Sequence, residues 1–231
     1  MERGAQAVTV ALVTGAGSGI GRATARHLAG RGCRLALVGR TARTLEETAA
    51  SLEGALVLPA DVRDAEAVAQ AVAQTEEALG PIDLLVNNAG VVARAAVHEM
   101  DEATWDEVLD INLKGAFLCA RAVLPAMLAR GRGRIVNVAS ISGTLGTPLL
   151  SAYCASKWGL IGFTKALSEE VKGRGVVVAA VSPGSVDTPM LRRGVPGLEP
   201  DMTPDDVASV ITYLGLDAPP AIAGASLEIF G

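Results

Sequence analysis

The sequence predicts an α/β fold: a single domain built on a doubly wound parallel sheet of about seven strands, with helices on both faces. Three observations carry this. Short β-branched runs alternate with longer segments rich in Ala, Leu and Glu along the 231 residues, and such alternation implies right-handed crossovers between parallel strands. The strand-like runs are continuously apolar, as in strands covered on both faces. A glycine-rich turn, Gly15 to Gly21, follows directly on the first of them.

The elements follow in order. Residues 8–13 read as a strand and 20–29 as a helix, 34–38 as a strand and 44–52 as a helix, 55–58 as a strand and 65–79 as a helix. Then come a strand at 82–86, a long helix at 105–129, a strand at 134–138 and a second long helix at 152–171. A strand at 176–181, a helix at 205–214 and a strand at 226–229 complete the pattern. No Gly/Ser/Pro linker interrupts it, so residues 1–231 are read as one domain. The Pro- and Gly-rich stretch 183–204 is long for a simple connection, and loops of that length are often lids or binding loops. The pair Arg192-Arg193 within it reads as solvated.

Composition narrows the function. Half of the residues are hydrophobic, ample for a buried core. An aromatic content of 3% argues against base stacking, and a net charge of −5 argues against a phosphate-tracking surface. The apolar runs are short or broken, so no membrane span is expected. Met1-Glu2-Arg3-Gly4 does not open an apolar leader. The expectation is a cytoplasmic protein. Three cysteines without a CxxC pair, and two distant histidines, His27 and His98, point to neither a disulfide framework nor a metal cluster. His27 and Cys154 read as structural.

A glycine-rich turn between a strand and a helix can hold a pyrophosphate. Glycine permits close backbone approach, and the helix N-terminus offers unpaired N–H groups. At the end of the next strand an acidic residue would suit a free ribose 2′-hydroxyl, and a cation would suit a 2′-phosphate. Here the chain reads Val38-Gly39-Arg40-Thr41. Arg40, a planar cationic donor, favours NADP(H), with NAD(H) as the second choice.

Further motifs complete a set: Thr14-Gly15-x-x-x-Gly19-x-Gly21, Asp61-Val62, Asn87-Asn88-Ala89-Gly90, Asn112, Ser140, Tyr153-x-x-x-Lys157, and Pro183-Gly184 followed by Thr188. In order and spacing this set resembles the classical short-chain dehydrogenases/reductases over essentially the whole chain. The resemblance implies a Rossmann-like catalytic domain that moves a hydride between a nicotinamide and a carbonyl or secondary alcohol.

The residues support that chemistry independently. Hydride arrival at a carbonyl carbon leaves an alkoxide that needs a proton donor and a hydrogen-bond partner. Tyr153 can donate, and a free phenol titrates near ~10. Lys157 shares its helical face at i+4 and is expected to lower that value. Ser140 lies at a strand's carboxyl end, where open parallel sheets place ligand contacts. Taken singly, Ser140 can be a turn serine and Asp61 a helix cap, and Ser142 competes for the role of Ser140.

The resemblance implies further roles. Gly15, Gly17, Ser18, Gly19, Ile20 and Gly21 would surround the diphosphate. Asp61 would accept from the adenine amino group, beside the Val62 backbone. Asn88, Ala89 and Gly90 would line the nucleotide channel. Lys157 would hold the ribose hydroxyls, and Asn112 would kink its helix and support a proton relay to Lys157. Pro183, Gly184, Val186 and Thr188 would lie at the nicotinamide end, the last two against its carboxamide. Members of the family that use NADP(H) often carry a basic residue where this chain has Ser18.

The expected cleft is mostly apolar: Val92, Leu145, Leu149, Leu150, Met190 and Leu191, with Arg94, Ser142 and Ser185. That suits a hydrophobic or acyl ketone. The strongest overall resemblance is to reductases of 3-oxoacyl chains on acyl carrier protein. Arg130, Arg132, Arg134, Lys172 and Arg174 are a candidate patch for an acidic carrier, or ordinary cations at helix C-termini. Apolar faces on the two long helices suggest a homotetramer, with a dimer second. An NAD-linked sugar, polyol or steroid dehydrogenase is the alternative enzyme. A non-catalytic dinucleotide sensor or scaffold is the alternative outside enzymes, and it has no need of Ser140, Tyr153 and Lys157 together.

Overall fold

The computed structural model describes residues 9–231; Met1 to Gly4, and Val8 at the start of the first expected strand, lie outside them. Seven strands form one sheet: β1 (Val10–Thr14), β2 (Arg34–Gly39), β3 (Leu56–Pro59), β4 (Leu84–Asn87), β5 (Gly133–Val138), β6 (Val176–Pro183) and β7 (Ser226–Ile229). Their order is β3-β2-β1-β4-β5-β6-β7, and every pairing is parallel. Strand order reverses between β1 and β4. In such sheets ligands bind in the crevice beyond the carboxyl ends, at that switch point.

Side chains alternate across the sheet, and both faces are covered. Leu12, Leu85 and Ile135 pack on one face with Val72 and Val123. Val13, Val86 and Val136 pack on the other with Leu28 and Ile211. Each such buried aliphatic contributes about 1.5–3 kcal/mol. One face carries α3 (Ala65–Leu79), α5 (Gly115–Arg130) and α6 (Ser151–Glu170); the other carries α1 (Gly19–Gly30), α2 (Ala42–Ala49) and α8 (Pro204–Thr212). α4 (Glu102–Leu109) leads into α5, and a short α7 (Pro189–Gly194) stands over the carboxyl ends.

Helix starts follow local chemistry. Asp64, not Asp61, caps α3, accepting from the N–H groups of Glu66 and Ala67. A capping box opens α8: Thr203 Oγ1 accepts from Asp206 N, and the Asp206 carboxylate accepts from Thr203 N. His27 Nε2 lies 3.1 Å from Asp205 Oδ1, a structural tie between α1 and α8.

Three expectations change. The long helix at 105–129 is two helices joined by a π turn, Asp110–Lys114. Together they make one helical run, Glu102–Arg130, long and apolar enough to cross a bilayer; half of its most apolar stretch is buried within the fold. The stretch 183–204 contains α7, whose start is marked by Thr188 as N-cap and Pro189 at the first helical position. The candidate basic patch lies at the amino ends of β5 and β6, a strand length of about 20 Å from the crevice. Four of its five cations are engaged there: Arg130 with Ile82 O, Arg132 with Asp83, Arg134 with Leu214 O and Ala218 O, and Lys172 with Glu169.

Candidate active site

The glycine turn is fastened to the end of β4. The Thr14 hydroxyl accepts from Asn88 N and Ala89 N, both at 3.0 Å, and Asn88 Nδ2 donates to Thr14 O at 2.9 Å. A Cβ on Gly21 would run into the Gly15 carbonyl and the Asn88 amide, and Gly15 itself has φ +65°. Only glycine suits either position. Ser18 precedes α1 in extended conformation and its side chain makes no capping bond. The first-turn N–H groups of α1 are therefore left without a side-chain partner, and no acidic residue occupies that turn. Ser18, Gly19 and Ile20 line a small pocket there. This donor set fits a phosphate.

Three charged residues gather at the ends of β2 and β3. Arg40 is half exposed, 3.9 Å from Glu107, and an ion pair of that kind contributes little. Asp61 accepts from Arg63 Nε at 3.0 Å and Nη2 at 2.6 Å. The Arg63 hydrogen bond holds the Asp61 carboxyl below its ordinary range, against the effect of burial, and Arg40 adds a smaller pull. Sequence reasoning misses Arg63; its position two residues after Asp61 is the signal that points to it. Val62 is buried against Gly115.

At the other end of the crevice, Ser140 lies two residues beyond β5 and is buried. Its Oγ accepts from Ser142 N at 3.1 Å, and together with the Tyr153 side chain it lines the cleft. Ser142 Oγ instead faces Thr147 Oγ1 at 3.3 Å. Tyr153 is in the first turn of α6. Lys157, one turn on, donates from Nζ to Val138 O at 2.8 Å and lies 5.6 Å from the Tyr153 ring centroid. Burial pushes the Tyr153 phenol up, while the neighbouring Ser140 hydroxyl pulls it down. Burial brings the Lys157 amine down to about 8. The expected lowering of the phenol by Lys157 is thus not what this arrangement gives: the amine is aimed at the Val138 carbonyl, and burial favours the neutral form of both groups.

Asn112 stands one layer behind. In the π turn, its Oδ1 accepts from Val91 N at 2.8 Å, and its Nδ2 donates to Val91 O and to Ser156 Oγ. Ser156 Oγ donates to Tyr153 O at 2.7 Å. Asn112 therefore ties the segment after β4 to the start of α6.

The cleft beside Ser140 and Tyr153 has a volume of about 250 Å³. Its lining is polar at Ser140, Ser142, Tyr153 and Lys157 and apolar at Ile141, Leu150, Met190, Leu191, Val195 and Leu198. Asn88, Gly90, Pro183, Gly184, Val186 and Thr188 line the passage toward the glycine turn. Thr188 Oγ1 donates to Val186 O and accepts from Leu191 N, so it also caps α7. Gly17, Gly21, Val62, Ala89 and Asn112 do not line the cleft; they pack behind it. Leu145 and Leu149 point outward, and Arg94 donates to Gly194 O at 3.2 Å. Val195 and Leu198 escape sequence reasoning because α7, which sets their direction, reads as loop in the sequence.

A family model described as short chain dehydrogenase matches residues 9–197. A monensin polyketide synthase putative ketoacyl reductase from Streptomyces virginiae is 40% identical, over 96% of this chain and 95% of that protein. A 2-dehydro-3-deoxy-L-rhamnonate dehydrogenase (NAD(+)) from Sphingomonas sp. (strain SKA58) is 42% identical, over 78% of this chain and 73% of that protein. Among solved structures, a variant of actinorhodin polyketide ketoreductase with NADPH superposes with a TM-score of 0.92 at 37% identity, covering 98% of this chain and 97% of that one. With this fold and this crevice, the chain belongs to the short chain dehydrogenase family and is an oxidoreductase of alcohol and carbonyl groups.

Proposed function

We propose that the protein is an NADP(H)-dependent reductase of hydrophobic ketones, 3-oxoacyl thioesters included. The observation that carries this is the meeting of Ser140, Tyr153 and Lys157 with an apolar cleft at the carboxyl end of the sheet. The bound dinucleotide supplies the hydride. Tyr153, kept protonated by burial, gives its phenolic proton to the carbonyl oxygen. The Ser140 hydroxyl, whose oxygen already accepts from Ser142 N, directs its own proton at the same oxygen. Lys157, fixed by its bond to Val138 O at the floor of the cleft, would hold the ribose hydroxyls of the nucleotide. The apolar wall excludes water and holds the carbon chain.

Arg40 and Arg63 support NADP(H), since no acidic residue ends β2 to meet a free 2′-hydroxyl. The NADPH in the actinorhodin ketoreductase structure agrees with this. An NAD-linked sugar-acid reading draws on the relative named for NAD(+). Against it, Lys157, already bonded to Val138 O, is the one cation lining the cleft among the described residues. An acyl carrier, if it delivers the substrate, would dock around the crevice and not on the arginines at the far end. Phe117 on α5 and Trp158 on α6 are exposed, which supports association into a homotetramer, to be checked by light scattering.

The test is oxidation of NADPH and NADH by the purified protein against 3-oxoacyl thioesters, aromatic ketones, diketones and keto sugars. The expected result is turnover of the apolar ketones with NADPH, reduced at least about a hundredfold in Tyr153→Phe with cofactor binding intact. Preference for keto sugars with NADH, or unchanged turnover in Tyr153→Phe, would overturn the reading.

A further inference from the structure

We propose that Arg193 clamps the diphosphate bridge of the bound dinucleotide, so that α7 serves the cofactor as well as the substrate. The inference rests on the dinucleotide reading above. In the sequence Arg192-Arg193 reads as a solvated pair; the structure separates them. Arg192 turns back to Asp187. Arg193 instead lines the pocket that Gly15, Ser18, Gly19 and Ile20 of the glycine turn also line. Among the described residues Arg193 has no acidic partner, and no other cation lines that pocket.

The placement follows from the helix. Thr188 lies against the glycine turn, since a Cβ on Gly19 would stand 3.3 Å from its methyl group. Pro189 and Arg193 are four residues apart, so they share a face of α7, and both line the pocket. Arg192, about 100° round, faces elsewhere. The uncapped start of α1 offers N–H groups and only a partial charge. A diphosphate carries full charges, and a guanidinium opposite those N–H groups supplies the missing countercharge with paired donors. Arg40 and Arg63 lie at the ends of β2 and β3, so they cannot serve here. One consequence is a division of labour: Arg40 reads the 2′-phosphate, and Arg193 holds the part common to both dinucleotides.

The experiment is titration calorimetry of NADP+, NAD+ and ADP-ribose on the full chain, its Arg193→Gln and Arg193→Lys variants, and Arg40→Gln as comparison. Arg193 is exposed, so folding is unaffected, and equal melting temperatures verify this. Arg193→Gln is expected to weaken all three ligands about tenfold, leaving the ratio of NADP+ to NAD+ affinity unchanged. Arg193→Lys recovers part of the loss, and Arg40→Gln changes the ratio. Unchanged affinities in Arg193→Gln overturn the proposal, and so does a change in the ratio, which would make Arg193 a reader of the 2′-phosphate. If the unmodified chain binds neither dinucleotide, the cofactor reading fails and this inference falls with it.

Discussion

Lys157 is a group that the fold accommodates at a cost. Its side chain is 4% exposed, and burial lowers the amine from 10.5 to about 8. The unfolded chain keeps the ordinary lysine value. Between pH 8 and 10.5 the unfolded amine is protonated and the folded one is not, so the unfolded state binds more protons and stability rises with pH. Below pH 8 both are protonated and the full penalty is present. A fall from 10.5 to about 8 corresponds to about 3 kcal/mol. Lys157→Met keeps the chain length, removes the titration and gives up the hydrogen bond to Val138 O. That bond sets the overall level of the comparison; protonation sets its slope. The expected result is that the stability of the variant relative to the parent is greatest near pH 7 and declines by about 2–3 kcal/mol by about pH 10. Urea unfolding of both proteins across that range measures it, since the other titrating groups cancel in the difference. A gap that stays constant with pH would refute the reasoning, because Lys157 would then titrate alike in both states.

Three further outcomes are expected. Arg40→Asp should weaken NADPH and strengthen NADH, read by fluorescence titration; unchanged NADPH affinity would remove Arg40 from the site. Asn112→Ala leaves the Val91 N–H and C=O without their partner and should cost about 2–4 kcal/mol in urea unfolding; a loss under about 0.5 kcal/mol would show that the π turn stands without it. Gly21→Ala pushes a methyl group into the Gly15 carbonyl and the Asn88 amide, so dinucleotide affinity should fall at least tenfold while the secondary structure measured by circular dichroism persists; retained affinity would mean that the turn has room to shift.

Much of the fold is legible in the sequence because its strands are apolar on both faces. Leu12 and Val13 serve opposite cores, and a run of apolar residues without polar alternation is the mark of such strands. The reacting end is legible for a different reason: Tyr153 and Lys157 sit four apart on one helix, where spacing alone decides which side chains share a face. What escapes depends on contacts between distant segments. The residue pattern around Asn112 reads as one helix, a kink there being implied by the resemblance alone, and the π turn is accompanied by its bonds to Val91, 21 residues away. The direction of the Lys157 amine is set by the Val138 carbonyl at the end of another element. The engagement of Arg130 and Arg134 at the far end of the sheet depends on carbonyls of helices and loops brought there by the crossovers.

The π turn at Asp110–Lys114 has a consequence for how this chain tolerates change in length. A π turn holds one residue more than an α turn needs, so it behaves as a single insertion within the run Glu102–Arg130. Deleting one residue there would let the run continue as regular helix. The parts before and after it would keep their relative facing, because the wide turn is what takes up the extra residue. Trp105 and Val108 would stay on their present faces, and the loss would fall on Asn112, which would leave Val91. Elsewhere in a surface helix one lost residue can be absorbed by fraying at an end. Here both ends are held, by the Asp101 cap and by the left-handed Gly131, and the missing residue would be felt beside Tyr153.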